Sequence, residues 1–426
     1  MAEVLDVLLA GDEVGGQRRA RRHASTDSRE FVALMATCMA MAALSIDLML
    51  PAFADMRRDF GLAPDSTAVS WVLTAFFLGL AAGQLVYGPM SDRFGRKPML
   101  YTGLAVYVVS GTAAALMPSL GGLVVCRFLW GLGAAAPRSL ALAMVRDAYG
   151  GERMARTMSL VMAIFVLVPV FAPGLGALAL AVVPWRALLL VPVLAASTLA
   201  VWARRLPETL PVERRRSVAP AALLEALRAV LRNRQTAGFT LVVTCLFGIM
   251  TSFIGNFEII VSDVFGQGGS FPLIFGVLAM TLGAGALLSA RLVVQVGLLR
   301  LLRLAACYLL VVAGLLAVLA EASGGRPPLW AFVLLLGALL PGMSVLLPNS
   351  NSAAMAPLPH VAGMAAAVIG TLSTAGGALL GSVVDAAFDG TVRPFAFAVV
   401  AFAAVASGTI FLLTRPADAV VPAGTP

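Results

Sequence analysis

Three ionisable side chains fall inside long apolar segments of the sequence: Asp47, Arg127 and Glu258. A charge inside a bilayer is costly unless it is paired or hydrated, so each of these residues needs a reason to be there. At 1.5 Å per helical residue, all three lie roughly 10 Å below the same end of their predicted helices. Three ionisable groups at one depth predict a hydrated cavity.

Asp47 is the predicted proton carrier. Desolvation and a neighbouring Arg127 act in opposite directions on the affinity of this carboxylate for a proton. A carboxylate balanced between the two effects can exchange a proton for substrate, which assigns proton coupling to Asp47 and Arg127. The alternative is a permanent Asp47–Arg127 ion pair that only holds two helices together.

The remaining charges near or inside the apolar segments have other expected roles. Glu258 either binds a cationic substrate or lies at the mouth of the cavity without a role. Arg138 lies 11 residues after Arg127, and its long side chain is expected to reach the aqueous surface at the far end of the same helix. Three carboxylates near helix ends are predicted to be solvated, namely Asp263, Asp385 and Asp389.

The composition indicates which elements position these residues. Of the 426 residues, 60% are hydrophobic and 12% are charged, whereas a soluble domain is about half apolar and a quarter charged. These values exclude an ordinary soluble enzyme, a disordered chain and a nucleic-acid-binding domain. They predict an all-α membrane protein, and at about 20 residues per span the apolar residues supply roughly twelve spans.

The residue types of enzymatic and metal chemistry have no partners at a recognisable spacing. The two histidines, His23 and His360, lack a catalytic or ligand partner. The four cysteines fall in apolar segments without metal-ligand or disulfide spacing. We therefore expect no enzyme activity, no metal site and no cofactor.

Apolar segments bounded by charges, Pro and Gly predict twelve helices in two sets of six. The first set comprises Phe31–Ala54, Val69–Tyr87, Met99–Met117, Leu120–Val145, Met158–Val183 and Ala187–Ala203. The second set comprises Ala237–Val264, Phe271–Val296, Leu299–Ala320, Leu329–Met355, Val361–Asp385 and Phe395–Leu413. The predicted domains are a disordered cytoplasmic tail (1–30), an N-terminal six-helix bundle (31–203), a cytoplasmic linker (204–236), a C-terminal six-helix bundle (237–414) and a second cytoplasmic tail (415–426).

The basic residues predict the orientation in the membrane. With the N-terminus in the cytoplasm, five of the 30 basic residues fall outside, namely Arg57, Arg58, Arg186, Arg326 and Arg393. Arg127 and Arg138 lie within a helix, and the others lie inside, as the positive-inside rule requires. Both termini are therefore predicted to be cytoplasmic.

The linker between the two sets contains a segment of mixed character. Ala219–Arg234 alternates apolar and basic residues at helical spacing. This pattern predicts an amphipathic helix that lies on the anionic inner leaflet. The alternative is a solvated linker helix.

The segment Gly88-Pro-Met-Ser-Asp-Arg-Phe-Gly-Arg-Lys97 joins predicted helices 2 and 3 on the cytoplasmic side. We expect Pro89 to end helix 2 and the two glycines to permit a tight turn. The spacing of its Gly, Asp and Arg residues closely resembles the signature loop of the major facilitator superfamily. The resemblance implies a cytoplasmic gate made of Gly88, Asp92, Arg93, Gly95, Arg96 and Asp147. In that family such a cluster closes the inner side, so the Asp147–Arg96 and Asp92 contacts are expected to break when the protein opens inward.

Two further segments resemble functional motifs of that superfamily. Arg127-Phe-Leu-Trp-Gly-Leu-Gly133 is similar to its proton-coupling motif. Ala172-Pro-Gly-Leu-Gly176 is similar to the motif of its exporters, with the key positions at Pro173, Gly174 and Gly176. Ala172 stands where the exporters usually have Gly, which weakens the case for export.

The subfamily is indicated by three more segments. Asp47-Leu-Met-Leu-Pro51 and Arg146-Asp147 resemble the drug:proton antiporters with twelve spans. Leu347-Pro-Asn-Ser-Asn-Ser-Ala-Ala-Met-Ala-Pro357 resembles the bicyclomycin/chloramphenicol resistance (Bcr/CflA) subfamily. The resemblance implies two pseudo-symmetric six-helix bundles with helices 1, 4 and 7 around a central cavity.

The resemblance also implies a function. We expect a functional monomer in the bacterial inner membrane that exports amphipathic drugs in exchange for protons, by alternating access. Its partners would be a small-molecule substrate, protons and the lipid bilayer. Phe76 and Phe257 are candidates for an apolar pocket beside the cavity charges Asp47, Arg127 and Glu258. The alternative is a dedicated proton-coupled exporter of a single metabolite, such as an amino acid or a biosynthetic product.

Overall fold

The structure of the protein, a computed structural model, describes residues 29–215 and 220–414. Throughout these residues the regular structure is helical, without a β-strand. Within the described residues, twelve helices are long and apolar enough to cross a membrane. The predicted fold class, an all-α membrane protein with twelve spans, is confirmed. The C-terminal tail (415–426) and nearly all of the predicted N-terminal tail lie outside the described residues.

The first set of six spans begins at Arg29, two residues before the predicted start at Phe31. It comprises α1 (Arg29–Asp47), α2 (Trp71–Phe94), α3 (Arg96–Leu116), α4 (Leu120–Ala148), α5 (Gly151–Leu180) and α6 (Leu190–Trp202). After a turn, α1 continues as a 3₁₀ turn, Leu50–Ala52, and a short helix, Phe53–Asp59. A one-turn helix, Trp185–Leu188, precedes α6.

The second set follows a linker helix, Pro220–Arg232. It comprises α7 (Arg234–Ile259), α8 (Phe271–Val296), α9 (Leu298–Ala322), α10 (Leu329–Met355), α11 (Ala362–Ala386) and α12 (Arg393–Leu413). We call the end of the molecule that carries Gly95 and the linker helix the linker end, and the opposite end the distal end.

The contacts between helices repeat with an offset of six. In the first set α2 packs on α4, α1 on α5 and α3 on α6; in the second set α8 packs on α10, α7 on α11 and α9 on α12. The two sets meet where α2 packs on α11 and where α5 packs on α8, and these two contacts exchange under the same offset. This repetition is the structural form of the pseudo-two-fold relation expected of transporters with internal repeats.

Large apolar side chains are exposed on the outside of the spans. Leu178, Val294 and Trp330 are examples, with exposed fractions of 72%, 84% and 71%. A soluble monomer rarely exposes apolar surface on this scale, whereas a bilayer covers it. The linker helix also exposes apolar side chains, Leu224 and Leu231, while its Ala226 and Val230 are buried.

The predicted turn between helices 2 and 3 is almost entirely helical, so the expectation that Pro89 ends helix 2 was wrong. The α2 helix continues through Pro89 to Phe94, and α3 begins at Arg96. Only Gly95 forms the turn, with a φ of 100° that favours glycine. Spanning helices tolerate an internal proline because neighbouring groups satisfy the freed carbonyl.

Candidate functional site

Asp47 lies where the first span breaks. It is the last residue of α1, and Pro51 lacks the N–H that would donate to the Asp47 carbonyl in a continuous helix. The chain then passes through a turn and the 3₁₀ segment before the helix resumes at Phe53. The Asp47 side chain is buried. The break thus places a carboxylate and freed backbone carbonyls inside the first set of helices.

The break in α1 is contacted by the predicted exporter motif on α5. Gly176 lies so close to Leu48 that a Cβ on this glycine would overlap the Leu48 carbonyl. Gly174, two residues away, faces open space. Of the two motif glycines, only Gly176 is needed for the close approach of α5 to α1, and that approach lies next to Asp47.

The Arg127 guanidinium is fully buried between α1, α2 and α4. Its Nε donates to the carbonyl of Val72 at 3.3 Å, and its Nη1 donates to the carbonyl of Ser45 at 3.2 Å. Its Nη2 has no hydrogen-bond partner. Backbone carbonyls therefore stabilise the charge, and one of them, that of Ser45, belongs to the helix turn that carries Asp47.

Two aromatic rings cover the faces of this guanidinium. Its central carbon lies 4.5 Å from the centre of the Phe76 ring and 4.9 Å from that of Trp130. Such cation–π contacts are strongest where water is excluded. Tyr107 completes the shell, since its hydroxyl pairs with the Ser45 hydroxyl and donates to the carbonyl of Met41 at 3.1 Å.

The structure brings Asp47 and Arg127 to the same region but not into an ion pair. Within the described ranges neither residue forms a salt bridge; Arg127 instead donates to the carbonyl of Ser45, two residues before Asp47 on α1. A permanent Asp47–Arg127 pair, the alternative considered from the sequence, is absent from this conformation. Two buried, unpaired charges of opposite sign can respond to a proton or to a charged ligand.

Glu258 is held by a partner that the sequence did not indicate. Its Oε2 accepts a hydrogen bond from Arg57 Nη2 at 2.7 Å, and its Oε1 accepts one from the Ser262 hydroxyl at 3.1 Å. Both charged side chains are about 95% buried. Arg57 belongs to the continuation of α1, so this ion pair joins the first set to the second at the distal end. Ser70 adds a second link there, because its hydroxyl donates to the Gly255 carbonyl at 3.3 Å.

A crevice next to this ion pair runs between α1, α5, α7 and α8. Glu258 and Ser262 form its polar side. Its apolar lining includes Pro51, Ala54, Ala177, Leu180 and Phe271. Phe257 lies in a cluster of buried rings with Phe253, Phe271 and Phe275, and of these rings Phe271 lines the crevice.

The predicted gate residues divide into a group connected through Arg96 and two residues outside that group, Arg93 and Gly88. Arg96 bridges two carboxylates, with Nη1 at 2.6 Å from Asp92 Oδ1 and Nε at 2.9 Å from Asp147 Oδ2. Arg93 is exposed, and its guanidinium carbon lies 5.1 Å from the centre of the neighbouring Phe94 ring. A Cβ on Gly88 would meet no atom within 4 Å.

The linker caps this group. The Glu208 carboxylate accepts hydrogen bonds from the backbone N–H groups of Arg96 and Lys97 at 2.9 and 3.1 Å, which satisfies donors at the start of α3. Lys97 Nζ in turn donates to the carbonyls of Arg204 and Leu206. The contacts of the gate residues are thus made within the first set and the linker.

The structure corrects one of the predictions for carboxylates near helix ends. Asp263 and Asp389 are exposed, as predicted. Asp385 is buried, with an exposed fraction of 4%, so the prediction of a solvated side chain was wrong. A position near a helix end does not decide burial, because a neighbouring helix can cover that end. Arg138 is half-buried and forms no salt bridge within the described part of the chain.

Comparison of the sequence with models of protein families identifies the family of the chain. The model of the Major Facilitator Superfamily matches residues 35–382. The chain belongs to the Major Facilitator Superfamily. It is a transporter of that superfamily and not an enzyme, and the match spans all but the last helix.

Curated relatives of this superfamily member carry resistance names. A bicyclomycin resistance protein homolog of Haemophilus influenzae is 26% identical over 389 residues, which is 90% of this chain and 96% of that protein. A chloramphenicol resistance protein of Pseudomonas aeruginosa is 30% identical over 357 residues, 80% of each protein. The predicted resemblance to the bicyclomycin/chloramphenicol resistance proteins is confirmed.

Solved structures of the superfamily share the fold. The xylose transporter XylE from E. coli, in a partially occluded inward open conformation, has a TM-score of 0.72 and covers 90% of this chain and 96% of its own. Its sequence identity of 12% makes this likeness one of fold alone.

Proposed function

We propose that this transporter exports amphipathic drugs or similar small molecules across the bacterial inner membrane in exchange for protons. The observation that carries the proposal is the arrangement of Asp47 and Arg127, two buried residues of opposite charge without a salt bridge, with Arg127 bonded to the carbonyl two residues before Asp47. The proton part of the proposal depends on this geometry. The substrate part depends on the resistance names of the relatives.

Asp47 would carry the proton. A buried carboxylate without a cationic partner becomes less costly to hold when a proton neutralises it. The unpaired Nη2 of Arg127 lies near the same turn of α1, so the charged form of Asp47 has a stabilising group within reach after a small movement. Proton binding and release at Asp47 would therefore shift α1 relative to α4.

The substrate would bind where apolar surface and these charges meet. Phe76 covers the guanidinium and supplies the apolar side of such a site. A cationic or dipolar amphipathic molecule could interact with unprotonated Asp47 and leave when the proton arrives. Competition of this kind gives an exchange of one ligand for the other.

The linker end would face the cytoplasm, because the basic residues of the sequence concentrate there. We place the bundle boundaries at residues 31–203 and 237–414 and propose that the two bundles rock against each other around the site. The Arg57–Glu258 pair would close the distal, outward side. The bridge from Arg96 to Asp92 and Asp147 would rearrange when the linker end opens. A monomer contains all of these parts.

The proposal is tested with purified protein in liposomes that hold a pH-sensitive dye and an imposed pH gradient. A panel of antibiotics, dyes and metabolites is added, and proton movement is recorded for each compound. Several chemically distinct amphipathic compounds should move protons. Proton movement with one metabolite alone would favour the dedicated exporter, and none with any compound would contradict proton coupling.

A further inference from the structure

Asp385 is a buried carboxylate that the proposed transport cycle leaves without a role. It lies one residue before the distal end of α11, where α11 packs on α7. Its Oδ1 has no hydrogen-bond partner. In the interior of a membrane protein such a group is costly as an anion and usually marks a functional site.

The carboxylate lies against the backbone of Gly255 on α7. A Cβ on Gly255 would overlap Asp385 Oδ2 and come within 3.1 Å of its Cγ. The absence of a side chain at this position creates the space that the carboxylate fills. We call this space, which α7 and α11 form together, the seat of Asp385.

A second buried acceptor without a partner adjoins the seat. Asn256 follows Gly255, has an exposed fraction of 1%, and its Oδ1 accepts no hydrogen bond. Its Nδ2 donates to the Ser252 hydroxyl at 3.5 Å. Ser252 lies three residues before Gly255, on the face of α7 that packs on α11. The Oδ1 atoms of Asp385 and Asn256 are therefore two buried acceptors without a donor. A proton on the carboxylate would supply the missing donor, whereas a further acceptor would not.

The charged groups on the surrounding elements are engaged elsewhere. Arg57, on the continuation of α1, is paired with Glu258 on α7. Arg393, at the start of α12, is paired with Glu321 on α9. The nearby acids Asp263 and Asp389 are exposed, and the sequence of α10 contains no charged residue. In the described part of the chain, a cation that pairs with Asp385 is absent.

We propose that Asp385, with Asn256 and Ser252, forms a second proton-binding site, located in the second set of helices. One proton from the distal aqueous phase binds a carboxylate oxygen, and the resulting O–H is a donor for the acceptors grouped there. The ligand is a proton and not a metal ion. The binding step stands by itself, whereas its use in transport rests on the proposed proton coupling at Asp47.

The location gives this proton a structural consequence. The Gly255 carbonyl accepts the hydrogen bond from Ser70 of the first set, and Glu258, which pairs with Arg57, lies one helical turn further along α7. A change of charge at Asp385 would therefore act on the residues that hold the two sets together at the distal end. Protonation favours the closed arrangement of this end, because only the neutral carboxyl is satisfied in it.

The test measures protonation directly, in the full-length protein and without substrate. Infrared difference spectra are recorded between neutral and alkaline pH, and the carbonyl band of buried, protonated carboxyl groups is followed. The wild-type protein should show a band at neutral pH that Asp385→Asn removes. Asp389→Asn, an exposed acid four residues away, should leave it.

A second variant covers the case in which Asp385→Asn does not fold. Gly255→Ala pushes a methyl group into the carboxylate and should shift or weaken the band, whereas Gly408→Ala, with no atom within 4 Å of the new Cβ, should not. A band that is the same in the wild-type protein, Asp385→Asn and Gly255→Ala would overturn the proposal, and so would a band that sodium ions suppress at constant pH. Neither outcome depends on whether Asp47 couples protons to export, so the two proposals can fail separately.

Discussion

The buried guanidinium of Arg127 is held by carbonyl oxygens and aromatic rings and not by a carboxylate. Two hydrogen bonds reach different helices, α1 and α2, and two rings stack on its faces. Only a planar group with several donors can make these contacts together. The sequence predicted the depth of this charge but not its neighbours, because the neighbours come from three helices that are distant along the chain.

Replacing Arg127 by lysine tests this arrangement. Lysine keeps the charge but cannot bond both carbonyls while it stacks between two rings. A hydrogen bond to a charged group contributes about 1.5–3 kcal/mol, so we expect Arg127→Lys to lower proton-driven transport by about tenfold or more. Transport rates in proteoliposomes are compared with those of Arg138→Lys, a half-buried position on the same helix, which should retain most of the rate.

Buried carboxylates show the limit of reasoning from position alone. Asp47 lies mid-segment, and its burial could be predicted from the apolar sequence around it. Asp385 lies at a helix end, where the same reasoning predicts solvation, yet Gly255 of α7 provides a seat for it. The arrangement of α7 over the end of α11 is a tertiary fact, and a single sequence does not contain it.

At the scale of elements, the break in α1 and the close approach of α5 form one unit. Pro51 interrupts the helix after Asp47, and Gly176 lets α5 pack directly against the backbone of Leu48. The sequence predicted neither feature: α1 was expected to be continuous, and the Pro/Gly motif was identified by resemblance without a contact.

The close approach predicts the effect of a methyl group. Gly176→Ala must push α5 away from α1, and overpacking of this kind costs about 1–3 kcal/mol. We expect a fall of about tenfold in transport, while Gly174→Ala, which points into open space, should transport normally. Equal losses in the two variants would show that the motif acts by some means other than this contact.

The bridge made by Arg96 is the second unit at this scale. Gly95 turns the chain so that α3 starts beside α4, and Arg96 then reaches Asp92 and Asp147 from one position. Resemblance predicted these partners, whereas the cap from Glu208 was not predicted. A linker carboxylate that is distant in sequence has no local pattern by which it could be identified.

Asp92→Asn should reduce transport by about tenfold, equivalent to about 1.4 kcal/mol, while the protein is still inserted in the membrane. The neutral amide loses the ionic part of the contact with Arg96, and the closure of the linker end should weaken. Uptake of labelled substrate into inverted vesicles is normalised to protein amount. Asp65→Asn in an exposed loop is the matched control, and normal export by Asp92→Asn would remove the bridge from the mechanism.

At the scale of the molecule, two six-helix sets are joined at the distal end by a buried ion pair. The number of spans, the division into two sets and their order could be predicted, because apolar segment lengths decide them. The contact between the sets could not, since Arg57 was expected in an outer loop. It lies instead in a helix that returns to the protein interior.

The ion pair should control the opening of the distal end. Removing one partner of a buried pair costs about 3–5 kcal/mol, so Glu258→Gln should shift the protein toward a conformation that is open at this end. The shift is measured as the rate at which a thiol reagent labels a cysteine introduced at Ser262, in a background without the native cysteines. The double exchange Arg57→Glu with Glu258→Arg should restore slow labelling. If Glu258→Gln leaves the labelling rate unchanged, the pair does not hold the distal end closed.

The central claim, that Asp47 couples protons to export, has one direct test. Proton movement on addition of a transported drug is recorded in proteoliposomes that contain either the wild-type protein, Asp47→Asn or the exposed-site control Asp263→Asn. The wild-type protein and Asp263→Asn should release protons into the compartment that loses drug, whereas Asp47→Asn should show no drug-dependent proton movement. Drug-dependent proton movement of normal size in Asp47→Asn would contradict the mechanism.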